Sequence, residues 1–430
     1  MLIIWIILIF LILIMLGMPI GLCMGFTGVS YFILSGQEAF MPMLPNYVFN
    51  GLNSFVLMAL PLFMLAGEIM DKAKISDRLV NFANLIVGRM EGGLAQVNVL
   101  SSMLFAGITG VALGDVAALG KIFIPAMSKE GYDKPFSAAI TASSSLIGPI
   151  IPPSIVIVIY CAVEELSVGG MFAAALLPGL LKGLGDMVIV NVLAKKRGYP
   201  KRTISAKPIE YALGLKDALL AILMPIIILG GIVLGVFTPT EAAAAAVAYA
   251  LVVSIIIYRN LKVKELPPII YSAAYSSAKL FFILAFIGII SWVFGFEDVP
   301  GLIRDFVLSH VSNKYVILLL LNLFLVFVGM WMTEGAAIIL FAPMLAPLAY
   351  SVGLHPFTWG IIMIMNLVMG LITPPVGVIL YATADIAGLS MEKVFKAILP
   401  MFMMNIFVVF LLNVFPSLTT YLPKVLGFID

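Results

Sequence analysis

Two short runs of glycine, proline and hydroxyl-bearing residues hold the groups best suited to chemistry in this 430-residue chain. The first reads Gly148-Pro149-Ile150-Ile151-Pro152-Pro153-Ser154, and the second, about 222 residues later, reads Gly370-Leu371-Ile372-Thr373-Pro374-Pro375-Val376. Each lies inside a long apolar stretch. Proline has no amide proton to donate, so each Pro-Pro pair predicts an unwound backbone in the middle of a membrane helix. The carbonyls released there cannot face lipid and must face an ion, water or protein. Two such breaks at matching places in two halves of one chain point to a transporter with its binding site near the bilayer midplane.

The composition agrees with a membrane setting. Hydrophobic residues make up 63% of the chain and charged residues 11%, and the mean hydropathy is +1.17. A soluble domain carries about a quarter charged residues. Runs such as 1–16, 219–236 and 317–328 are apolar almost throughout, which predicts helices rather than the alternating strands of a membrane barrel. The net charge of +2 is small, and Lys195-Lys196-Arg197 with Lys201-Arg202 form a juxtamembrane cluster, not a nucleic-acid footprint. Cys23 and Cys161 both fall in apolar segments and form neither a disulfide framework nor a thiolate metal site. His310 and His355 stand in predicted loops far apart. The first segment has no basic leader and no small-residue cleavage site, so residues 2–16 read as a retained membrane helix.

An internal repeat positions the breaks. At a shift of about 222 residues Gly107 meets Gly329, Pro125 meets Pro347, Gly131 meets Gly353, and Leu177-Pro178 meets Leu399-Pro400. The basic loops 71–91, 121–134, 195–216 and 259–264 stay cytoplasmic, whereas the loops 36–47 and 164–170 contain Glu38, Glu164 and Glu165 without Lys or Arg and lie outside. The fold expected is an all-α polytopic membrane protein of two inverted repeats. Residues 1–213 form the first, with scaffold 1–91, a re-entrant helical hairpin 92–127, a discontinuous helix 135–165 and a helix 171–194. Residues 214–430 form the second, with scaffold 217–296, hairpin 314–350, broken helix 356–383 and helix 393–415. The hairpin tips fall at 106–110 and 329–335. Residues 2–35 are either two membrane segments or one long tilted helix.

With the breaks, the tip Gly107-Ile108-Thr109-Gly110 and the helix start Thr238-Pro239-Thr240-Glu241-Ala242-Ala243-Ala244 in hand, the chain resembles, over its whole length, the large membrane subunit of a tripartite ATP-independent periplasmic (TRAP) transporter. The resemblance implies sodium-driven import of an organic acid and an elevator-type motion. It also implies a small four-helix membrane subunit, a periplasmic substrate-binding protein and residence in a bacterial cytoplasmic membrane. In the family, sodium ions lie at the corresponding tips and breaks. The first cage would take carbonyls of Ala106, Gly148, Ile151 and Pro153 with the Thr109 hydroxyl; the second, carbonyls of Gly329, Gly370 and Val376 with Thr373. Sodium is a hard cation that takes oxygen ligands, and unwound backbone exposes them. Relatives often carry Ser where this chain has Ala106, which leaves only a carbonyl there. The competing reading is that Gly and Pro merely allow close helix packing.

Half-helices that begin after each break direct partial positive charge toward the midplane, which suits a substrate carboxylate. Ser154, Thr109 and Thr333 are the nearest hydroxyls. Glu334 would attract sodium yet repel an acid, and it stands one residue after the position where the family often has Asp. Asp115 either lies near the ion or substrate or closes the hairpin. Lys182, Asp186 and Lys279 are read as lying near segment ends, where long side chains snorkel. Glu241, three residues after Thr238, reads as a capping box. No phosphate-binding loop is present, so ATP does not power transport through this chain, and no catalytic constellation marks an enzyme. A self-sufficient sodium/anion symporter is the alternative function; a membrane scaffold or enzyme that has kept the fold without transport is a third.

Overall fold

The computed structural model describes residues 2–201 and 207–429, and among the described residues every regular element is helical. The first half runs α1 (Leu2–Met15), α2 (Ile20–Leu34), α3 (Leu44–Leu52), α4 (Ala59–Lys72), α5 (Ile75–Val87), α6 (Gly93–Thr109), α7 (Ala112–Asp115), α8 (Lys121–Lys129), α9 (Lys134–Ser145), α10 (Ile155–Val163) and α11 (Val168–Arg197). The second half runs α12 (Pro208–Val233), α13 (Pro239–Leu251), α14 (Leu266–Phe296), α15 (Val299–His310), α16 (Lys314–Gly329), α17 (Glu334–Ser351), α18 (Pro356–Gly370), α19 (Val378–Ala387), α20 (Met391–Val414) and α21 (Ser417–Val425). A π-type turn, Val116–Gly120, joins α7 to α8, and another, Val252–Ile257, extends α13.

The order of elements recurs between halves. A pair of helices, a long crossing, a short amphipathic helix, a hairpin, a broken helix and a closing helix appear in 2–197 and again in 208–414. Packing recurs as well: α2 lies along α14 while its counterpart α13 lies along α4. One alternative left open by the sequence is resolved, and two further features were not marked there. The chain reverses at Gly17, whose φ is +78, and α1 folds back on α2, with Ile6 packed in a cluster that contains Tyr31 and Phe32. Residues 2–35 are therefore two helices. Within the scaffold 1–91, residues 38–52 and 55–72 form a pair bent by 58°. A last helix, α21, packs on α11 and was not expected.

Local chemistry explains several ends. Thr238 accepts a hydrogen bond from the Glu241 amide, and Glu241 accepts one from the Thr238 amide at 2.8 Å, so the capping box forms with Pro239 at the first helical position. The hairpin helices are short. At ~1.5 Å per residue α6 and α16 reach ~25 Å, and a turn follows each before the returning arm.

The long crossings meet at glycines. A Cβ at Gly288 of α14 would lie 2.0 Å from the Tyr47 carbonyl oxygen of α3, and one at Gly51 2.4 Å from that of Leu284. This close approach seats the bent pair on α14. Gly288→Val should cost about 3 kcal/mol of stability because the clash is with backbone, read as a lower thermal unfolding midpoint in detergent. Gly295→Ala, with open space around it, should show no loss.

Candidate functional site

Each break sits against the opposing hairpin tip of its own half. In the first, α6 ends at Gly110, whose φ of +63 turns the chain and whose amide donates to the Ala106 carbonyl at 3.1 Å. The Ala106 oxygen is thus partly used within the helix. A Cβ at Gly110 would lie 3.0 Å from the Pro153 carbonyl oxygen, and one at Gly148 3.0 Å from Asp115 Oδ2 and 3.4 Å from the Val111 carbonyl carbon. Both are tighter than an ordinary Cβ contact, so glycine keeps tip and break close without displacing either. Among the described residues no backbone amide donates to the carbonyls of Gly148, Ile151 or Pro153.

The side chains at this junction are arranged around a carboxylate. Thr109 donates its hydroxyl proton to Asp115 Oδ1 at 2.5 Å, and Asp115 is buried with Oδ2 lacking any partner. A hydroxyl that donates in this way keeps its lone pairs free to face a cation. The structure thus brings Thr109, Asp115, Gly148 and Pro153 together at one oxygen-rich junction. Ser154 is close by but turned to local work: it donates to the Pro149 carbonyl at 2.6 Å and caps α10 by accepting from the Ile157 amide. Ile151 has a partly exposed side chain packed against Gly179 of α11.

The second junction repeats the contact with different chemistry. A Cβ at Gly370 would lie 2.3 Å from the Gly329 carbonyl carbon, and one at Gly329 2.3 Å from the Leu367 oxygen. Here amides reach two of the loosened carbonyls, Leu371 receiving Ile379 and Leu380 and Gly370 receiving Thr373, and the tip carbonyl of Met330 receives Gly377. Thr373 donates to the Met369 carbonyl at 2.8 Å, which again leaves lone pairs free. This junction is more open. Val376 is 40% exposed, Tyr381 62% and Trp331 57%. Thr333 is exposed at the head of α17 without a side-chain capping bond, and Glu334 beside it is half-exposed. Among the described residues no cluster of three or more His, Cys, Asp or Glu could hold a transition metal.

The half-helices cross between junctions. Ile159 of α10 is the nearest side chain to Gly335 of α17, and Ile386 of α19 is the nearest to Gly120 behind the first tip. The first tip also touches the outer helices. A Cβ at Gly67 of α4 would lie 2.9 Å from the Ile108 oxygen, and one at Gly107 2.7 Å from Pro225 of α12. A cavity of about 580 Å³ lined by Asn50, Asn53, Ser54, Glu165 and Ser291 lies at the far end of α10, away from the breaks.

Two readings of charged residues need correction. Lys182 and Asp186 do not snorkel: both are fully buried and form an ion pair, because α11 extends from Val168 to Arg197 and places them in its middle. Lys279 stands near the middle of the 31-residue α14, not at its end, and lies over the Tyr275 ring at 4.2 Å. The spacing of Lys182 and Asp186, four apart on the face that carries Gly179 and Gly183, was the available signal.

The comparisons with known proteins agree with one another. The sequence profile of the family described as "Tripartite ATP-independent periplasmic transporter, DctM component" matches residues 7–418. The chain is 35% identical over 95% of both proteins to a sialic acid TRAP transporter large permease protein, SiaM, of Vibrio cholerae. It is 35% identical over 94% of both to a C4-dicarboxylate TRAP transporter large permease protein, DctM, of Pseudomonas aeruginosa. The solved structure of the YdaH transporter of Alcanivorax borkumensis superposes with a TM-score of 0.62 at 14% identity, covering 89% of each chain, a likeness of fold.

The glycine contacts give a discriminating test of these junctions. Gly370→Ala should abolish solute uptake, since its Cβ meets backbone at 2.3 Å, and Gly148→Ala should lower uptake, since its Cβ presses on the Asp115 carboxyl at 3.0 Å. Gly335→Ala, whose nearest neighbour would be 3.4 Å away, should retain uptake.

Proposed function

The chain belongs to the DctM component family of TRAP transporters, and from that premise we propose that it carries an organic acid across the bacterial cytoplasmic membrane, driven by sodium. In this reading the acid is a C4-dicarboxylate, a sialic acid or a similar carboxylate, handed over by a periplasmic substrate-binding protein. The chain acts with a small four-helix membrane subunit. The observation that carries the reading is the buried Asp115 carboxylate with its unpartnered Oδ2, set between hairpin tip and broken helix. A buried carboxyl oxygen without a partner costs free energy, and a bound cation would give it one.

The steps follow from this charge. A sodium ion at the first junction neutralises Asp115 and ties the tip residue Thr109 to the break carbonyls of Gly148 and Pro153, with Ile151 and Ala106 supplying carbonyls if the break relaxes. A second ion takes Thr373 with the carbonyls of Gly329, Gly370 and Val376. With Asp115 neutralised, the heads of α10 and α19 favour an anion between the junctions, where the exposed Thr333 offers a hydroxyl. The half-exposed Glu334 remains a repulsive neighbour that sets how the acid is oriented. Binding then favours a shift of both hairpins and both broken helices as one body against the outer helices. Glycine faces at Gly67 and Gly107 give that body a smooth track. The ion pair Arg78–Asp217 joins two of the outer helices, α5 and α12, and does not tie them to that body. Because each half has an odd number of complete crossings, the halves are inverted and the site can open to either side.

Uptake into proteoliposomes that hold the chain and its small subunit tests the reading. Flux should require both an inward sodium gradient and the binding protein; sodium-driven flux without the binding protein would instead make the chain a self-sufficient symporter. Asp115→Asn and Thr109→Ala should each raise the half-saturating sodium concentration by about tenfold, the ~1.4 kcal/mol expected for one weakened charged contact. Thr373→Ala should do the same, and unchanged sodium activation in all three would remove the cages from the account.

A further inference from the structure

The buried ion pair on α11 lies outside the junctions, yet it touches the first of them from behind. Lys182 donates to the Ser143 carbonyl and to its hydroxyl, both at 3.0 Å, and pairs with Asp186 Oδ2. Ser143 in turn donates to Asp186, at 3.1 Å to Oδ1 and 3.0 Å to Oδ2. All three residues are fully buried. Ser143 belongs to the last turn of α9, and the tightened bonds of the break begin there: Leu146 donates to Ser143, Ile147 to Ser144 and Gly148 to Ser145. The same face of α11 holds the other end of the break, where a Cβ at Gly179 would lie 2.5 Å from Ile151. Gly183, between the two charged residues, meets Met103 of α6.

One helix face therefore grips the unwound segment at Ser143 and at Ile151, on either side of Gly148. The second half has no such grip. The positions equivalent to Gly179, Lys182, Asp186 and Ser143 are Met401, Met404, Val408 and Met365. An apolar pair of similar volume would be as stable in such surroundings as the ion pair, so packing alone does not account for the two charges.

We propose that Lys182 and Asp186 are positioning residues for the first sodium cage, holding the last turn of α9 so that the Gly148 carbonyl and the tip residues Thr109 and Asp115 stay in ligating register. The inference rests on the sodium reading above. It predicts that the pair governs sodium affinity and leaves the rate at saturating sodium nearly unchanged.

The test measures sodium activation of uptake for the chain with its small subunit and binding protein in proteoliposomes. In the double replacement Lys182→Met with Asp186→Leu, which removes both charges together, the half-saturating sodium concentration should rise by roughly threefold or more at a near-normal maximal rate. A folded double variant with unchanged half-saturation overturns the proposal. Should that variant fail to accumulate, Ser143→Ala decides, because it removes only the shared hydroxyl: a rise of about twofold or more supports the proposal and no rise overturns it. Thr358→Val, which breaks a buried hydroxyl pair with Thr419 at 2.6 Å far from either break, should leave half-saturation unchanged; an equal rise there would reduce the ion pair to general packing and overturn its special role. Wild-type uptake indifferent to sodium would refute the sodium reading itself, a result distinguishable from failure of the positioning role alone.

Discussion

Backbone polar groups that lipid cannot satisfy are the constraint on which this molecule depends. Each Pro-Pro pair removes amide donors in mid-helix, and the chain must then bring something to the orphaned carbonyls. It brings a hairpin tip. Gly329 and Gly370 in the second half let backbone approach backbone at distances a Cβ would forbid, and Gly110 and Gly148 in the first make contacts tighter than most Cβ atoms accept. The hairpins are short because their task is to reach the breaks and turn back, and the half-helices α10 and α19 cross over to hold the opposite hairpin. The site is thus the place where the fold's least satisfied backbone is covered.

The halves solve the same problem unequally. The first junction is enclosed and adds the Asp115 carboxyl beside its break and an ion pair behind it. The second stands open along Val376 and Tyr381. In each, one carbonyl of the expected set is taken by an amide, Ala106 by Gly110 and Gly370 by Thr373. On the cation reading proposed above, the enclosed junction would hold its ion more tightly than the open one.

Much of this was legible from residue order. Proline pairs and glycine landmarks gave the breaks, the tips and the repeat, since those residues restrict backbone geometry wherever they occur. The capping box at Thr238 and Glu241 was equally readable because it is local. What sequence could not resolve depended on packing across the chain. The reversal at Gly17, the 58° bend after residue 52 and the extra helix α21 follow from which apolar face meets which neighbour. Asp115 was an ambiguous buried acid until its unpartnered oxygen was seen against Gly148. Lys182 and Asp186 looked like end residues because hydropathy marks a segment shorter than α11. Ser154 looked free, but its hydroxyl serves its own helix.

The central claim, that the tip-and-break junctions are cation sites, can be tested without transport. The purified protein should show a saturable rise in thermal unfolding midpoint as sodium is added at constant ionic strength, because an ion that binds only the folded state stabilises it by mass action. Potassium or choline should give no comparable rise, and replacing Asp115 with Asn should blunt the sodium response. Equal stabilisation by sodium, potassium and choline would contradict the account, because the junctions would then be packing contacts and not ion sites.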